Sequence, residues 1–349
     1  MLTKKQVTEL REHLSKAQNP LFFFDNDQDG LCSFLLFQRY IGRGKGVSVK
    51  SFPDLSAEYF RKVHELKADY IFILDKPVVS NEFFLEAEKV NIPVVWIDHH
   101  IMEKNKQNSV PNFVNYYNPT QNRKKTDEPV TALCYQVTNK QDDLWIAVAG
   151  CISDRHVPTF YDKFEKKYPD LTIKSREAAD VYYKSQIGRI AKILGFGLKD
   201  RTSNVVTMIK FLMKVKNPDE VLEENNKNYL MHHRYTQLES KYRKLLGKAI
   251  LLGRKNEKIL FFQYGGDLSV SGDLANELIY TFPEKMVVVI YMKGAKANIS
   301  VRGKRAREVF LKAIEDLDGA KGGGHEVAVG GQMKIEDLER FRENIEKLI

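Results

Sequence analysis

The stretch VVWIDHH, Val94–His100, sets four apolar residues directly before an acid and two imidazoles. A continuous apolar run is how a strand buried on both faces of a parallel sheet reads. Three other segments carry aspartates: LFFFDNDQDG (Leu21–Gly30), IFILDKP (Ile71–Pro77) and GCISDRH (Gly150–His156). In the first two of these an apolar run again ends in acidic residues. Open α/β sheets bind their ligands beyond the carboxyl ends of the strands. Carboxylates converging on one point repel each other unless a cation lies between them. The four segments therefore point to a site for one or two divalent metals.

The surrounding pattern supplies the sheet. Strands are expected at 20–24, 46–51, 69–74 and 92–97, with helices at 3–17, 31–42, 56–66 and 80–90. Strands alternating with helices argue for βαβ units and a parallel sheet. After Pro129 the pattern turns helical, through TALCYQV, DDLWIAVAGCIS and a long stretch near 175–195, with a break expected at LGFGLKD (194–200). Polar loops are expected at 101–112 and 119–128. Residues 201–250 read as a charged helical connector. A second α/β pattern follows, with strands at 258–264, 286–292, 297–303 and 325–333 and helices near 271–281, 304–316 and 334–348. The expected organisation is a parallel-sheet domain over 1–200, the connector over 201–250, and a smaller α/β domain over 251–349.

Composition sets limits. The chain has 349 residues, 43% of them hydrophobic, enough for two compact cores. No stretch approaches the roughly 18 uninterrupted apolar residues of a membrane span, so no membrane partner is expected. The N-terminal segment MLTKKQVTELREHL is charged and lacks the apolar core of a secretory signal. Cys32, Cys134 and Cys151 form no CxxC pair, so neither a zinc site nor a disulfide framework is indicated, and a reducing, cytoplasmic setting is expected. Net charge is +9 and the pI is near 9.1, which suits either a lysine-rich surface or a polyanionic partner.

Asp25, Asp27, Asp29 and Gly30 also match the opening of a calcium EF-hand loop. That loop needs a glutamate at its twelfth position, where this chain has Leu36, and a helix before it, where this chain has a strand-like run. Read as a strand-to-helix turn, the segment points alternate aspartates one way, and Gly30 lets the chain bend. A solvated turn with capping aspartates is the alternative for this segment taken alone. Asp75 gains meaning from its company, since a carboxylate on a neighbouring strand can bridge two ions. Asp98, His99 and His100 form the most specific segment, because neutral imidazole is a common ligand of divalent transition metals. Asp154 ends an apolar helical segment, where the helix dipole disfavours an acid. His232-His233, Tyr116-Tyr117 and Tyr182-Tyr183 read as packing residues, and Gly42–Gly46 is no dinucleotide fingerprint because it follows a helix.

Taken together, the four segments resemble the DHH phosphoesterase superfamily, named for Asp-His-His. Residues 251–349 resemble its DHH-associated domain of the Gly-Gly-Gly-His kind, here Gly322-Gly323-Gly324-His325 with Arg302 in the preceding strand. The resemblance implies an active site between the two domains. It implies that Asp27 holds one metal and Asp29 the other, that Asp75 bridges them, and that His99 and Asp154 complete the ligands of the second metal. It brings His100 to the scissile phosphate, and His100, Asp98 and Arg302 are the catalytic residues expected. The family commonly has a histidine four residues before the position of Asp27; Phe23 stands there, which cannot ligate. Asp25 occupies a position where RecJ-like nucleases also carry an aspartate, and is the expected substitute. Manganese is the metal implied, in one or two ions, with magnesium as the alternative.

The C-terminal motif has its own logic. Three glycines let backbone N–H groups approach a phosphate, Arg302 offers a bidentate contact, and His325 can donate to a phosphate or base; a glycine turn before a strand is the plain alternative. Between Arg234 and Lys258 there are eight Lys/Arg against two Glu, and between Lys293 and Lys321 eight against four acids. Such stretches suit a phosphate backbone, although each could be a solvated face. The expected function is metal-dependent phosphodiester hydrolysis, as in RecJ-like exonucleases on single-stranded DNA or RNA. The rivals are an oligoribonuclease or nucleotide phosphatase acting on very short substrates, and a catalytically silent scaffold among replication or repair proteins.

Overall fold

The structure, a computed structural model, describes residues 1–50, 55–101, 110–255 and 258–349. Most of the polar loop expected at 101–112 lies outside the described residues. Two compact units are present, Met1–Tyr235 and Thr236–Ile349.

The first unit is built on five parallel strands: β1 (Pro20–Asp25), β2 (Lys45–Val49), β3 (Tyr70–Leu74), β4 (Val94–Ile97) and β5 (Val114–Tyr117), in the order β2-β1-β3-β4-β5. The strand period of two is visible in the cores. Phe22, Phe24, Phe72, Leu74, Val95 and Ile97 face one layer, which includes helix α1 (Lys4–Lys16), helix α2 (Gln28–Ile41) and the helices Val130–Thr138 and Leu144–Ser153. Leu21, Phe23, Ile71, Ile73, Val94 and Trp96 face the other, with Phe60, Val63, Phe83 and Ala87 from helices α3 (Arg61–Glu65) and α4 (Asn81–Lys89) and their approaches. Each fully buried ring of this kind contributes about 1.5–3 kcal/mol. β5 was not among the expected strands. Its sequence, VNYY, is short and half polar, and only its pairing with β4 defines it.

Two expectations about the helical part are corrected. The stretch near 175–195 is two helices, Ala178–Lys184 and Gln186–Leu198, parted at Ser185, whose hydroxyl caps the second by accepting from Gly188 N at 3.1 Å. The break expected at 194–200 comes only at the end of that segment: the second helix runs through Gly195 and Gly197 to Leu198 and stops at Lys199. Those glycines are packing sites, because a Cβ on Gly195 would meet Gln28 Nε2 at 2.2 Å and one on Gly197 would meet Met208 Sδ at 2.3 Å. The first part of the expected connector also belongs to a core. Val205, Met208, Ile209, Phe211 and Leu212, from the helix Thr202–Leu212, pack into the first unit. The unit boundary falls within the long helix Tyr229–Gly253.

The second unit carries β6 (Ile259–Gly265), β7 (Met286–Lys293), β8 (Lys296–Arg302), β9 (Lys321–His325) and β10 (Ala328–Lys334), in the order β6-β7-β8-β10-β9. β6 and β7 are parallel; the other pairs are antiparallel. The single strand expected over 325–333 is instead the meeting point of a hairpin, and the Gly-Gly-Gly-His motif is itself an edge strand rather than a loop. One glycine of the motif and one of its partner strand have a packing reason. Gly322 and Gly331 pair across the hairpin, and a Cβ on either would meet the ring of Phe310 at 2.5 or 2.2 Å. Among the described residues, no helix is long and apolar enough to cross a membrane.

Close helix contact makes one stability prediction. A Cβ on Gly150 would meet Thr131 Oγ1 at 2.3 Å and Cys32 Cβ at 2.8 Å in the centre of the first unit. Gly150→Ala is expected to destabilise the protein by about 1–3 kcal/mol through overpacking. In urea unfolding this appears as a lower midpoint with an unchanged slope.

Candidate metal centre

Strand register assembles the site. Phe24 pairs with Leu74 and Leu74 with Ile97, so the next residues, Asp25, Asp75 and Asp98, stand level at the carboxyl ends of three adjacent strands. The chain leaves β1 for β2 on one side and returns as β3 on the other, so this is the switch point where α/β sheets hold ligands. Asp27 and Asp29 enter from the turn into α2. Asp27 caps that helix, its Oδ1 accepting from Gly30 N at 2.9 Å. Gly30 has a different use from the one expected. A Cβ there would meet Asp25 O at 2.4 Å, so the glycine lets the first turn of α2 lie against the end of β1.

Each acid is anchored. Asp29 accepts from Val130 N at 2.9 Å and Thr131 N at 2.7 Å, and so caps the helix Val130–Thr138 across the core. Asp75 sits in the left-handed region, at φ 58°, and its N–H donates to Ile97 O at 2.9 Å. His99 Nε2 lies 3.5 Å from both Asp75 Oδ1 and Asp154 Oδ2. Its Nδ1 faces the Asp127 carbonyl at 3.3 Å. A proton given to that carbonyl leaves the Nε2 lone pair turned toward the acids, the arrangement that orients a ligating imidazole. Asp154 lies at the open side of the cluster, with 44% of its side chain exposed.

Three groups of side chains bring donor atoms close enough for one ion: Asp75, His99 and His100; Asp29, His99 and Asp154; and Asp25, Asp27 and Asp75. Two further observations fit a cation. Asp75 Oδ1 is buried with no hydrogen-bond partner. The carboxyls of Asp27 and Asp75 are pushed well up, by burial first and then by neighbouring acids, and that of Asp154 is pushed up to about 6 by lost hydration, with Asp29 adding and His99 opposing. Phe23 is core, its ring edge-on to Phe83 and Tyr59.

His100 is arranged differently from His99. Its Nδ1 lies 2.8 Å from Asp98 Oδ1, and its backbone N–H donates to Asp98 Oδ2 at 3.2 Å. Burial works against the charged ring, but the charge and hydrogen bond of Asp98, joined by the charges of Asp154 and Asp27, raise His100 to about 9. Asn118, not singled out from sequence, fixes the same turn by donating to His100 O at 2.9 Å and the Tyr116 hydroxyl at 2.8 Å. Lys76 was also missed, although it stands in the quoted segment IFILDKP. It is fully buried, and its Nζ donates to Asp25 Oδ1 at 3.0 Å.

In the second unit, Arg302 pairs with Ala328 and Ala328 with His325. Directly paired residues share a face, so Arg302 and His325 stand in one row two strands apart, roughly 10 Å. Ser300, Gly330 and Gly323 form the next row on that face, and a Cβ on either glycine would meet nothing within 4 Å. Arg302 is held by Asn276 Oδ1 at 2.6 Å and by the carbonyls of Val301 and Val329 at 3.0 and 3.2 Å. The result is a bare strip of backbone with a fixed guanidinium at one end and an imidazole at the other.

The acid cluster and His100 shift stability with pH in the same direction. Carboxyls raised in the folded state favour folding when protonated; that contribution is whole below about 4 and is lost as pH rises through the raised values, about 6 for Asp154. The raised His100 adds stability that is whole below about 6.5 and lost as pH climbs through about 9. In EDTA, thermal melts are expected to give a lower Tm at pH 7.5 than at pH 5.5, and added Mn2+ to raise it mainly at the higher pH. Separately, Asp98→Asn is expected to bring the His100 midpoint, followed by imidazole NMR in EDTA, from about 9 toward about 6.5.

Comparison with known proteins agrees with this architecture. Residues 256–349 match the DHHA1 domain family. No curated protein sequence matches the chain. Among solved structures, the fold is similar to that of RecJ in complex with Mn2+ from Thermus thermophilus, with a TM-score of 0.71 and 16% identity over 99% of this chain and 54% of that one. The chain thus spans about half the length of the Thermus protein. An exonuclease RecJ bound to manganese gives a TM-score of 0.67 at 16% identity over 99% and 93% of the two chains. The DHH domain of a protein described as a member of a family of ribosomal proteins gives 0.65 at 14% identity over 98% and 89%. Residues 256–349 thus carry a DHHA1 domain, and the chain as a whole shares the fold of the RecJ structures, with Asp25, Asp75 and Asp98-His99-His100 level at one sheet edge.

Proposed function

We propose that the protein is a divalent-metal-dependent phosphodiesterase, a nuclease that acts on single-stranded DNA or RNA. The observation that carries this reading is the buried, unpartnered Oδ1 of Asp75, with His99 and further acids around it. In this reading Asp27, Asp29, Asp75, His99 and Asp154 hold one or two ions, with Asp25 beside them, and manganese is the preferred metal. A divalent ion bound there supplies Lewis-acid charge for the phosphoryl oxygens and lowers the pKa of water in the site.

The chain's own residues do the rest. His100, kept protonated at neutral pH by Asp98, donates to a non-bridging oxygen of the scissile phosphate and offsets the charge that develops there. Asp98 holds the ring in place and is fully buried, so the pair does not swing. Arg302, Gly323 and His325 bind substrate, with Gly322 and Gly324 as the backbone on either side of Gly323: Arg302 takes a phosphate, the bare strip at Gly323 admits close approach of the chain, and His325 closes the row. The excess of Lys/Arg in the sequence suits a polyanionic substrate whose binding weakens with salt.

End-labelled single-stranded DNA and RNA of graded length, incubated with Mn2+, tests the reading. Shortening of the strands that stops in EDTA is expected, and Asp75→Ala is expected to reduce it by at least about a thousandfold. Absence of metal-dependent cleavage on every strand would leave the catalytic reading without support. A strong preference for dinucleotides over long strands would point to the short-substrate alternative.

A further inference from the structure

Lys76 is 0% exposed, yet it directly follows Asp75 at the heart of the acid cluster. The left-handed turn at Asp75 sends its side chain toward the end of β1. There Nζ donates to Asp25 Oδ1 at 3.0 Å and to the Lys50 carbonyl at 3.2 Å, while the Lys76 carbonyl accepts from Trp96 Nε1 at 2.9 Å. The residue is therefore held at both its ends, and the ammonium cannot leave for solvent. An ion buried in this way keeps its charge only because the partner carboxylate and the carbonyl replace its water.

This fixed cation divides the cluster into unlike halves. Asp25, Asp27 and Asp75 face an ion position that already has an ammonium on one of its three acids and no imidazole. Asp29, His99 and Asp154, with Asp75 Oδ1 beside His99, face a position with an oriented imidazole and an unpartnered carboxylate oxygen. The ammonium draws Asp25 away from any dication and repels a dication from that half by simple Coulomb force, which is strong in a site with little water.

Resting on the metal reading above, we propose that Lys76 sets the two ion positions to unequal affinity: a tight one formed by Asp29, Asp75, His99 and Asp154, and a weak one on the Asp25 side, where Asp25 serves Lys76 before it serves a metal. The proposal makes an unusual demand of a lysine, that its removal should improve metal binding.

Calorimetric titration of the full chain with Mn2+ tests it. The wild-type protein is expected to show two phases whose affinities differ by at least about a hundredfold. Lys76→Met is expected to strengthen the weak phase by at least about tenfold and leave the tight phase within about threefold. A merely structural lysine would weaken binding when removed, or leave it alone, and either result overturns the proposal. So do two equal phases in the wild type. Asp25→Asn guards against misfolding of Lys76→Met, checked by circular dichroism: it is expected to keep the tight phase within about threefold, and loss of that phase makes Asp25 a principal ligand and overturns the proposal. If the wild type binds no Mn2+ at all, the metal reading itself falls and this inference with it, a result distinct from all the others.

Discussion

Repulsion among carboxylates is the constraint around which the first unit is arranged. Asp25, Asp27, Asp29, Asp75 and Asp154 are brought within a few ångströms at the end of a sheet whose interior is almost wholly aromatic and aliphatic. Nothing in such a core tolerates free negative charge. The protein answers locally for some of the acids: a helix N-terminus for Asp29, a backbone N–H for Asp27, an ammonium for Asp25. Oδ1 of Asp75 has no hydrogen-bond partner at all, and that omission is what the proposed cation would make good.

The two imidazoles show how neighbours with the same chemistry are given opposite character by what stands behind them. A carbonyl behind His99 takes up Nδ1 and turns Nε2 forward to the acids. A buried carboxylate behind His100 favours a charged ring with protons to give. In the proposed reaction Asp98 thus acts on substrate only through the ring it holds, since both its oxygens are turned to His100.

Much of this was legible in the sequence. The apolar runs ending in acid gave away β1, β3 and β4 and their common edge, because a doubly buried strand has no other way to look. The Asp-His-His segment pointed to the acid-lined edge, and the Gly-Gly-Gly-His segment to a second face worth testing for substrate. What remained hidden depended on partners far away in the chain. β5 exists by virtue of β4. The hairpin at Glu326-Val327 is masked by apolar residues that resemble one strand. Gly195 and Gly197 resemble helix breakers until Gln28 and Met208 are seen against them. Lys76 was in plain view, but its meaning needed the register of β1 on β3, which no local pattern encodes.

The glycine run of β9 carries two kinds of obligation on alternate sides. Gly322 yields space to the ring of Phe310 beneath the sheet, while Gly323 turns toward the open side. Changes at these two adjacent letters are therefore not equivalent evidence. A side chain at Gly322 disturbs the interior and lowers activity by way of the scaffold, whatever the substrate is. A side chain at Gly323 leaves the interior alone, so only there does a loss speak about what the outer surface touches.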